Sequence, residues 1–364
     1  MKKLYTLLLL FITSVAFAQP PAGYYSSATG SGYTLKSQLE TIIDAVNDGN
    51  GQPFHDTSNG YGSLWNLYES SDALPPPAVN KVWEMYSDCD FTFGTHQDMG
   101  MGGGSECEFF NREHSFPRSW FGNNQSLPIF ADPFHVIPSD KKVNSERGNL
   151  AFGEVASATY TSNNGSKKGS SSIPGPTGNV FEPADEFKGD IARGFFYLAV
   201  RYQDDIGSWE ANDSDGDSML DGSSDKVFEQ WALDMLFRWH RDDPVSQKEI
   251  DRNEAIFAHQ DNRNPFIDNP QYVEDIWQSV LSVNQFEFSS SIALYPNPVN
   301  TNRFYISTTA DSDVKVYTVL GKLVVEEKIT SNNNDVNIEE LSSGVYLVQI
   351  SSQGRTLTKK LIRQ

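Results

Sequence analysis

The residues best suited to chemistry lie between Phe110 and Asn149. A glutamate and a histidine are adjacent at Glu113-His114, and an asparagine follows thirty positions later at Asn144. Histidine is the side chain whose ordinary titration makes it a base near neutral pH. The oxygens of glutamate and asparagine suit a hard divalent cation such as Mg²⁺, with Ca²⁺ or Mn²⁺ as alternatives. A base and a cation together answer the needs of phosphodiester hydrolysis. Water must lose a proton, the charge developing at phosphorus must be offset, and the departing oxygen must be protonated. An arginine at the phosphate would add a charge-assisted bond, and Arg147 and Arg118 are the candidates. Taken alone, a His beside a Glu is more often a surface pair than a site.

Neighbours on an extended strand face opposite sides, so Glu113 and His114 share a site only across a bend or loop. Pro117 fits such a departure. Pro138 is expected to end a second extended segment, with Ser139 or Asp140 capping a helix that carries Asn144. The expected order is strand, loop, strand, helix.

Around this unit, Leu35, Leu39, Ile42, Ile43 and Val46 share one face of an amphipathic helix over residues 33–46, with Gly49 as a stop. Residues 82–86 and 90–93 read as short strands. Residues 161–179, rich in Ser, Gly, Asn and Pro, read as a surface loop. Ile191, Phe195, Leu198 and Tyr202 recur at helical spacing, and so do Phe228, Trp231, Ala232, Met235, Leu236 and Trp239. Residues 248–259 predict a third helix. These aromatic stripes read as core-facing. After Phe288 the pattern changes to short alternating runs across 304–364, the signature of a small β-sandwich, with a boundary near 286–293. The fold class expected is α+β with a C-terminal all-β sandwich.

Lys2 and Lys3, an apolar run to Ala18 and the triplet Ala16-Phe17-Ala18 predict a signal peptide over residues 1–18. No later stretch approaches a membrane span, and a monomer is expected. Export to an oxidising space favours a disulfide between Cys89 and Cys107, with two free thiols as the alternative. The net charge is −20, and the tail from Tyr295 is near neutral with 8 Lys/Arg against 7 Asp/Glu. The acidity therefore sits in the body. It disfavours tight binding to a phosphate backbone but not transient engagement during turnover.

The body resembles the bacterial endonuclease I family, one of the histidine–metal finger nucleases. The matching stretches include Asn111-Arg112-Glu113-His114-Ser115-Phe116-Pro117, Ser119-Trp120-Phe121-Gly122, Pro138-Ser139-Asp140 with Val143-Asn144, Arg147-Gly148-Asn149 and Phe152-Gly153-Glu154. Later ones include Phe181-Glu182-Pro183, Lys188-Gly189-Asp190, Asp243-Pro244-Val245-Ser246 and the run from Gln260 to Asp268. The resemblance covers residues 22–280. It implies a ββα-metal core, His114 as general base, Glu113 and Asn144 as metal ligands, and cleavage of DNA, RNA or both to 5′-phosphate ends. Many relatives carry two successive histidines where this chain has Phe134-His135, which bears on rate or metal preference. The tail resembles the C-terminal sorting domain of type IX secretion, through Leu294-Tyr295-Pro296-Asn297-Pro298, Ser343-Gly344-Val345-Tyr346 and Lys359-Lys360-Leu361-Ile362. It implies partnership with that secretion machinery and a secreted or cell-surface protein. Residues 19–290 are then the nuclease domain and 291–364 the sorting domain.

Other features read as structural. Asp213, Asp215, Asp217 and Asp221 alternate as in a Ca²⁺ loop but lack the glycine at its sixth place and the closing glutamate, so a solvated acidic insertion is favoured. His55, His96, His240 and His259 lack metal-site spacing. Asn262, Arg263 and Asn264 read as a polar turn, and Arg193 faces either a cleft or an acidic neighbour. Two rival readings are an RNA-selective extracellular ribonuclease and a catalytically inactive nucleic-acid-binding surface protein.

Overall fold

The computed structural model describes residues 19–46, 54–100, 102–176, 178–281, 292–308, 311–319, 321–330, 333–352 and 355–364. The expected signal peptide and Gly49 lie outside the described residues. Two compact units divide at Ser279 and Val280. Among the described residues no helix is long and apolar enough to cross a membrane.

The first unit is mixed. Its helices are α1 (Gly32–Ile43), α2 (Leu64–Ser71), α3 (Lys141–Arg147), α4 (Lys188–Arg201), the single turns α5 (Gln203–Ile206) and α6 (Ser214–Asp217), α7 (Gln230–Asp242), α8 (Gln247–Gln260), the short α9 (Pro265–Asp268) and α10 (Tyr272–Trp277). Its strands are β1 (Phe110–His114), β2 (Val136–Asp140), β3 (Val155–Thr161), β4 (Lys167–Ser171) and β5 (Asn179–Glu182). β1 and β2 form an antiparallel ribbon, and β3, β4 and β5 form a separate antiparallel sheet.

The core is built on α4, in which every residue from 191 to 201 is buried. Phe195 packs on Phe116 and Phe152, and Phe196 packs on Trp277. Burying each such side chain contributes about 1.5–3 kcal/mol before entropy is counted. Charged residues enter this core in pairs: Arg193 with Glu249, Arg252 with Asp72, Arg263 with Asp268. Arg193 thus meets its acidic neighbour rather than a cleft. α8 begins with a capping box between Ser246 and Glu249, so Glu249 both caps the helix and holds Arg193.

Several expectations are corrected. α1 ends at Ile43, and Val46 is exposed rather than on the buried face. Residues 82–86 and 90–93 make only isolated bridges, Ala73 to Val82 and Lys81 to Thr92. The stretch 161–179 is no loop: it contains β4, paired on both sides. α2 lies in the stretch 50–110, where helical signals in the sequence are few.

The second unit comprises β6 (Leu294–Tyr295), β7 (Arg303–Ile306), β8 (Ser312–Thr318), β9 (Leu323–Ile329), β10 (Asp335–Asn337), β11 (Gly344–Ser352) and β12 (Arg355–Arg363). They form a four-stranded sheet, β12-β11-β8-β9, and a three-stranded sheet, β10-β7-β6. Phe304, Ile306 and Val336 from one sheet share a core with Val314, Val316, Val348 and Ile350 from the other. The alternating pattern is thus a sandwich, with β7, β8 and β11 burying every second side chain.

Candidate active site

The site forms where β1, β2 and α3 meet. In the β1–β2 ribbon Glu113 lies opposite Ile137 and His114 opposite Val136. β2 continues through Pro138 to Asp140 and passes directly into α3. A proline is tolerated here because each strand of a two-stranded ribbon is an edge. Asp140 is the helix cap: its Oδ1 accepts from the backbone N–H groups of Lys142 (2.7 Å) and Val143 (3.1 Å).

Strand alternation separates the Glu-His pair. Glu113 turns toward α3, where its Oε1 accepts from Arg147 Nη1 at 2.8 Å and from the Tyr86 hydroxyl at 3.2 Å. Burial pushes the Glu113 carboxyl up to about 7, against the opposing pull of Arg147 and Tyr86. Asn111 shares the parity of Glu113, and its Oδ1 accepts from Asn144 Nδ2 at 2.8 Å. That bond fixes the amide nitrogen of Asn144 on Asn111 and turns its oxygen away.

His114 has the other parity. Its ring stacks on Tyr61 at 5.2 Å and contacts Phe130 and His135. Nε2 lies 3.0 Å from the carbonyl oxygen of Phe130. A carbonyl only accepts, so Nε2 carries the proton and Nδ1 holds the lone pair of the neutral ring. Burial first, then the neighbouring His135, Arg118 and Arg112, hold its pKa well below the ordinary histidine value.

The residues present suit a hard cation. Both side-chain bonds to Glu113 converge on Oε1, which leaves Oε2, and Asn144 offers an amide oxygen. All are oxygen donors, as such a cation prefers. A second grouping does not fit: Cys89, Cys107 and Asp140 lie together, but the two sulfurs form a disulfide and Asp140 is committed to the α3 cap.

The sequence model for Endonuclease I fits residues 31–271. The chain belongs to the endonuclease I family. It is 35% identical to the extracellular ribonuclease of Bacillus amyloliquefaciens over 277 residues, covering 73% of this chain and 82% of the relative. It is 33% identical to the extracellular ribonuclease of Bacillus subtilis (strain 168) over 258 residues, covering 70% and 78%. A secretion system C-terminal sorting domain matches residues 293–364. The protein is therefore a secreted or cell-surface nuclease, and its family depends on a divalent metal.

Within this endonuclease I framework the expected residues separate. Glu113 and Asn144 gather on one face of β1, joined through Asn111. Arg147, expected at the phosphate, lies on α3 beside Glu113. It is fully buried, donating to Glu113 Oε1 and to the carbonyls of His114 and Ser115. Its two terminal nitrogens thus donate to the strand segment that carries both Glu113 and His114. Arg118 is exposed, and its charge is felt at His114 and Tyr61. Phe134 is buried, its ring 4.4 Å from that of Tyr197, so its identity bears on packing.

The remaining candidates are structural. Asp213 caps α6, and Asp221 binds Ser223 and Lys226. His240 Nε2 donates to the Pro270 carbonyl and its Nδ1 accepts from Arg193, tethering helix ends. Asn262, Arg263 and Asn264 are buried and bonded within the core, as a polar turn. Tyr61, Tyr86, Asn111, Arg112 and Phe130 were not singled out from the sequence. Asn111 and Arg112 carry a usable signal, each lying two residues before Glu113 or His114 on one strand face.

Proposed function

We propose that the protein is a metal-dependent nuclease that cleaves DNA and RNA with little sequence preference, leaving 5′-phosphate ends. His114 is its general base, and Glu113 and Asn144 hold one Mg²⁺ ion. The observation that carries this reading is the bond from His114 Nε2 to the Phe130 carbonyl. It leaves Nδ1 as the proton acceptor on a ring that burial keeps neutral.

In the proposed reaction, Nδ1 takes a proton from water as the water oxygen bonds to phosphorus. The bond from phosphorus to the 3′ oxygen breaks, and that oxygen leaves with a proton drawn from solvent. The phosphate stays on the 5′ side. When bound, the metal offsets charge at phosphorus and eases departure of the oxygen. Arg147 and Tyr86 orient Glu113, and Asn111 orients Asn144. Because Glu113 and His114 project to opposite faces of β1, the phosphodiester would lie across the end of that strand to meet both.

A second reading, selectivity for RNA, is favoured by the names of the two Bacillus relatives. Cleavage of plasmid DNA and total RNA, each with Mg²⁺ and with EDTA, tests both. Cutting of both substrates only with metal supports the broad reading, and cutting of RNA alone supports the second. A gel shift of either substrate in Mg²⁺ without cleavage would point instead to an inactive binding protein.

A further inference from the structure

We propose that Arg112 is a substrate-binding residue that grips the backbone phosphate next to the one being cleaved. The proposal rests on the reading of His114 as the base. Arg112 sits two residues before His114 on the same face of β1. Two strand rises separate them by about 6.6 Å, comparable to one step along an extended nucleic-acid strand.

The guanidinium is held without being neutralised. Its carbon lies 3.6 Å from the centre of the Tyr61 ring and 4.5 Å from that of Trp65. Nη1 donates to the Tyr61 carbonyl. Two rings and a carbonyl fix the fork but cancel little of its charge. Six other buried or half-buried arginines of this unit behave differently, and only the exposed Arg118 and Arg241 also lack a carboxylate partner among the described residues. Arg147, Arg193, Arg201, Arg238, Arg252 and Arg263 each pair with a carboxylate. Among the described residues Arg112 has no such partner, in a chain of net charge −20 where carboxylates abound.

A half-buried, pre-aimed and unneutralised guanidinium is the form of an anion site. Tyr61 ties it to the chemistry, since the ring beneath Arg112 also stacks on His114. In an acidic body that repels polyanions at long range, such a contact supplies local attraction beside the base.

The test is the salt dependence of cleavage of a short single-stranded RNA in Mg²⁺, for wild type, Arg112→Gln, Arg112→Lys and Arg241→Gln. Arg241 is exposed, packs over Phe237 and serves as the charge control. Arg112→Gln is expected to raise KM about tenfold, a loss typical of one charge-assisted contact, with kcat changed less than KM. The slope of log KM against log salt is expected to shrink by about 0.7, the share of one phosphate contact on a single strand. Arg112→Lys keeps the slope but raises KM, since a point charge replaces the fork. Arg241→Gln leaves both as in wild type. If Arg112→Gln lowers kcat with KM intact, or leaves the slope at its wild-type value, the proposal is overturned. Should Arg112→Gln fail to fold, an unchanged KM in Arg112→Lys overturns it equally. Failure of the His114 reading shows separately, as kcat retained in His114→Ala.

Discussion

His114 Nε2 and the backbone oxygen of Phe130 stand 3.0 Å apart, and this pair decides which nitrogen of the neutral imidazole carries the proton. Phe130 lies on the short 3-10 turn Pro128–Ala131, between the two strands of the ribbon. The loop joining β1 to β2 therefore returns to orient the residue that ends β1.

The buried position of Arg147 makes a prediction that a phosphate contact would not. Arg147→Ala leaves Glu113 buried beside Tyr86 without its cation, at a cost of about 3–5 kcal/mol. Urea denaturation should show a clear fall in stability together with loss of activity. Lost activity at wild-type stability would restore Arg147 to the phosphate.

The metal-ligand assignment is tested by titration. Asn144→Ala removes one proposed oxygen ligand and leaves Asn111 unpaired. The Mg²⁺ concentration giving half-maximal activity should rise about tenfold or more, the scale seen when support of a metal site is lost. An unchanged Mg²⁺ requirement would remove Asn144 from the ligand set.

The disulfide reaches the site through one carboxylate. Cys107 donates its N–H to Asp140 Oδ2 at 2.7 Å, while Oδ1 caps α3, the helix that carries Asn144 and Arg147. A variant with Cys89→Ser and Cys107→Ser should lose about 3 kcal/mol, as expected for a loop of this size. Its Mg²⁺ requirement should rise as well, because the cap loosens. Stability lost with no change in metal requirement would confine the disulfide to a structural role.

Acid should act through buried neutral histidines. His55 Nδ1 accepts from Arg201 Nε at 2.7 Å, and burial lowers its pKa to about 4. Between about pH 6.5 and 4 the unfolded chain takes a proton there that the folded chain refuses. This contribution is therefore complete above pH 6.5 and is lost as pH falls toward 4. His55→Gln keeps an acceptor but cannot titrate. The stability advantage of wild type over this variant should shrink between pH 7 and pH 5, measured by thermal melting. An advantage independent of pH would mean that His55 is already protonated or does not titrate in this range.

The sequence made some of this legible and hid the rest for physical reasons. The aromatic spacing on α4 and α7 marked core helices because both bury wide apolar stripes. Glu113, His114 and Asn144 stood out as chemistry-bearing types in a matched motif. Arg147 did not reveal its role, although its three-residue spacing from Asn144 on α3 puts both on one helix face, toward β1. β4 was hidden because its residues are mostly small and polar and its sheet is largely open to solvent. The Val82–Tyr86 stretch, rich in β-branched and aromatic residues, reads as a strand, yet its backbone forms only one bridge there, Val82 with Ala73. Tyr61 and Trp65 belong to the turn before α2 and to α2 itself, far in sequence from the residues they support, so only the fold brings them to Arg112.

The central claim is that His114 is the base, and one substitution tests it most directly. Purified wild type and His114→Ala are compared for initial rates on plasmid DNA and total RNA in Mg²⁺, with folding checked by circular dichroism. The account predicts a folded variant slower by about a hundredfold or more, as loss of a general base entails. A folded variant that cuts at the wild-type rate would contradict it.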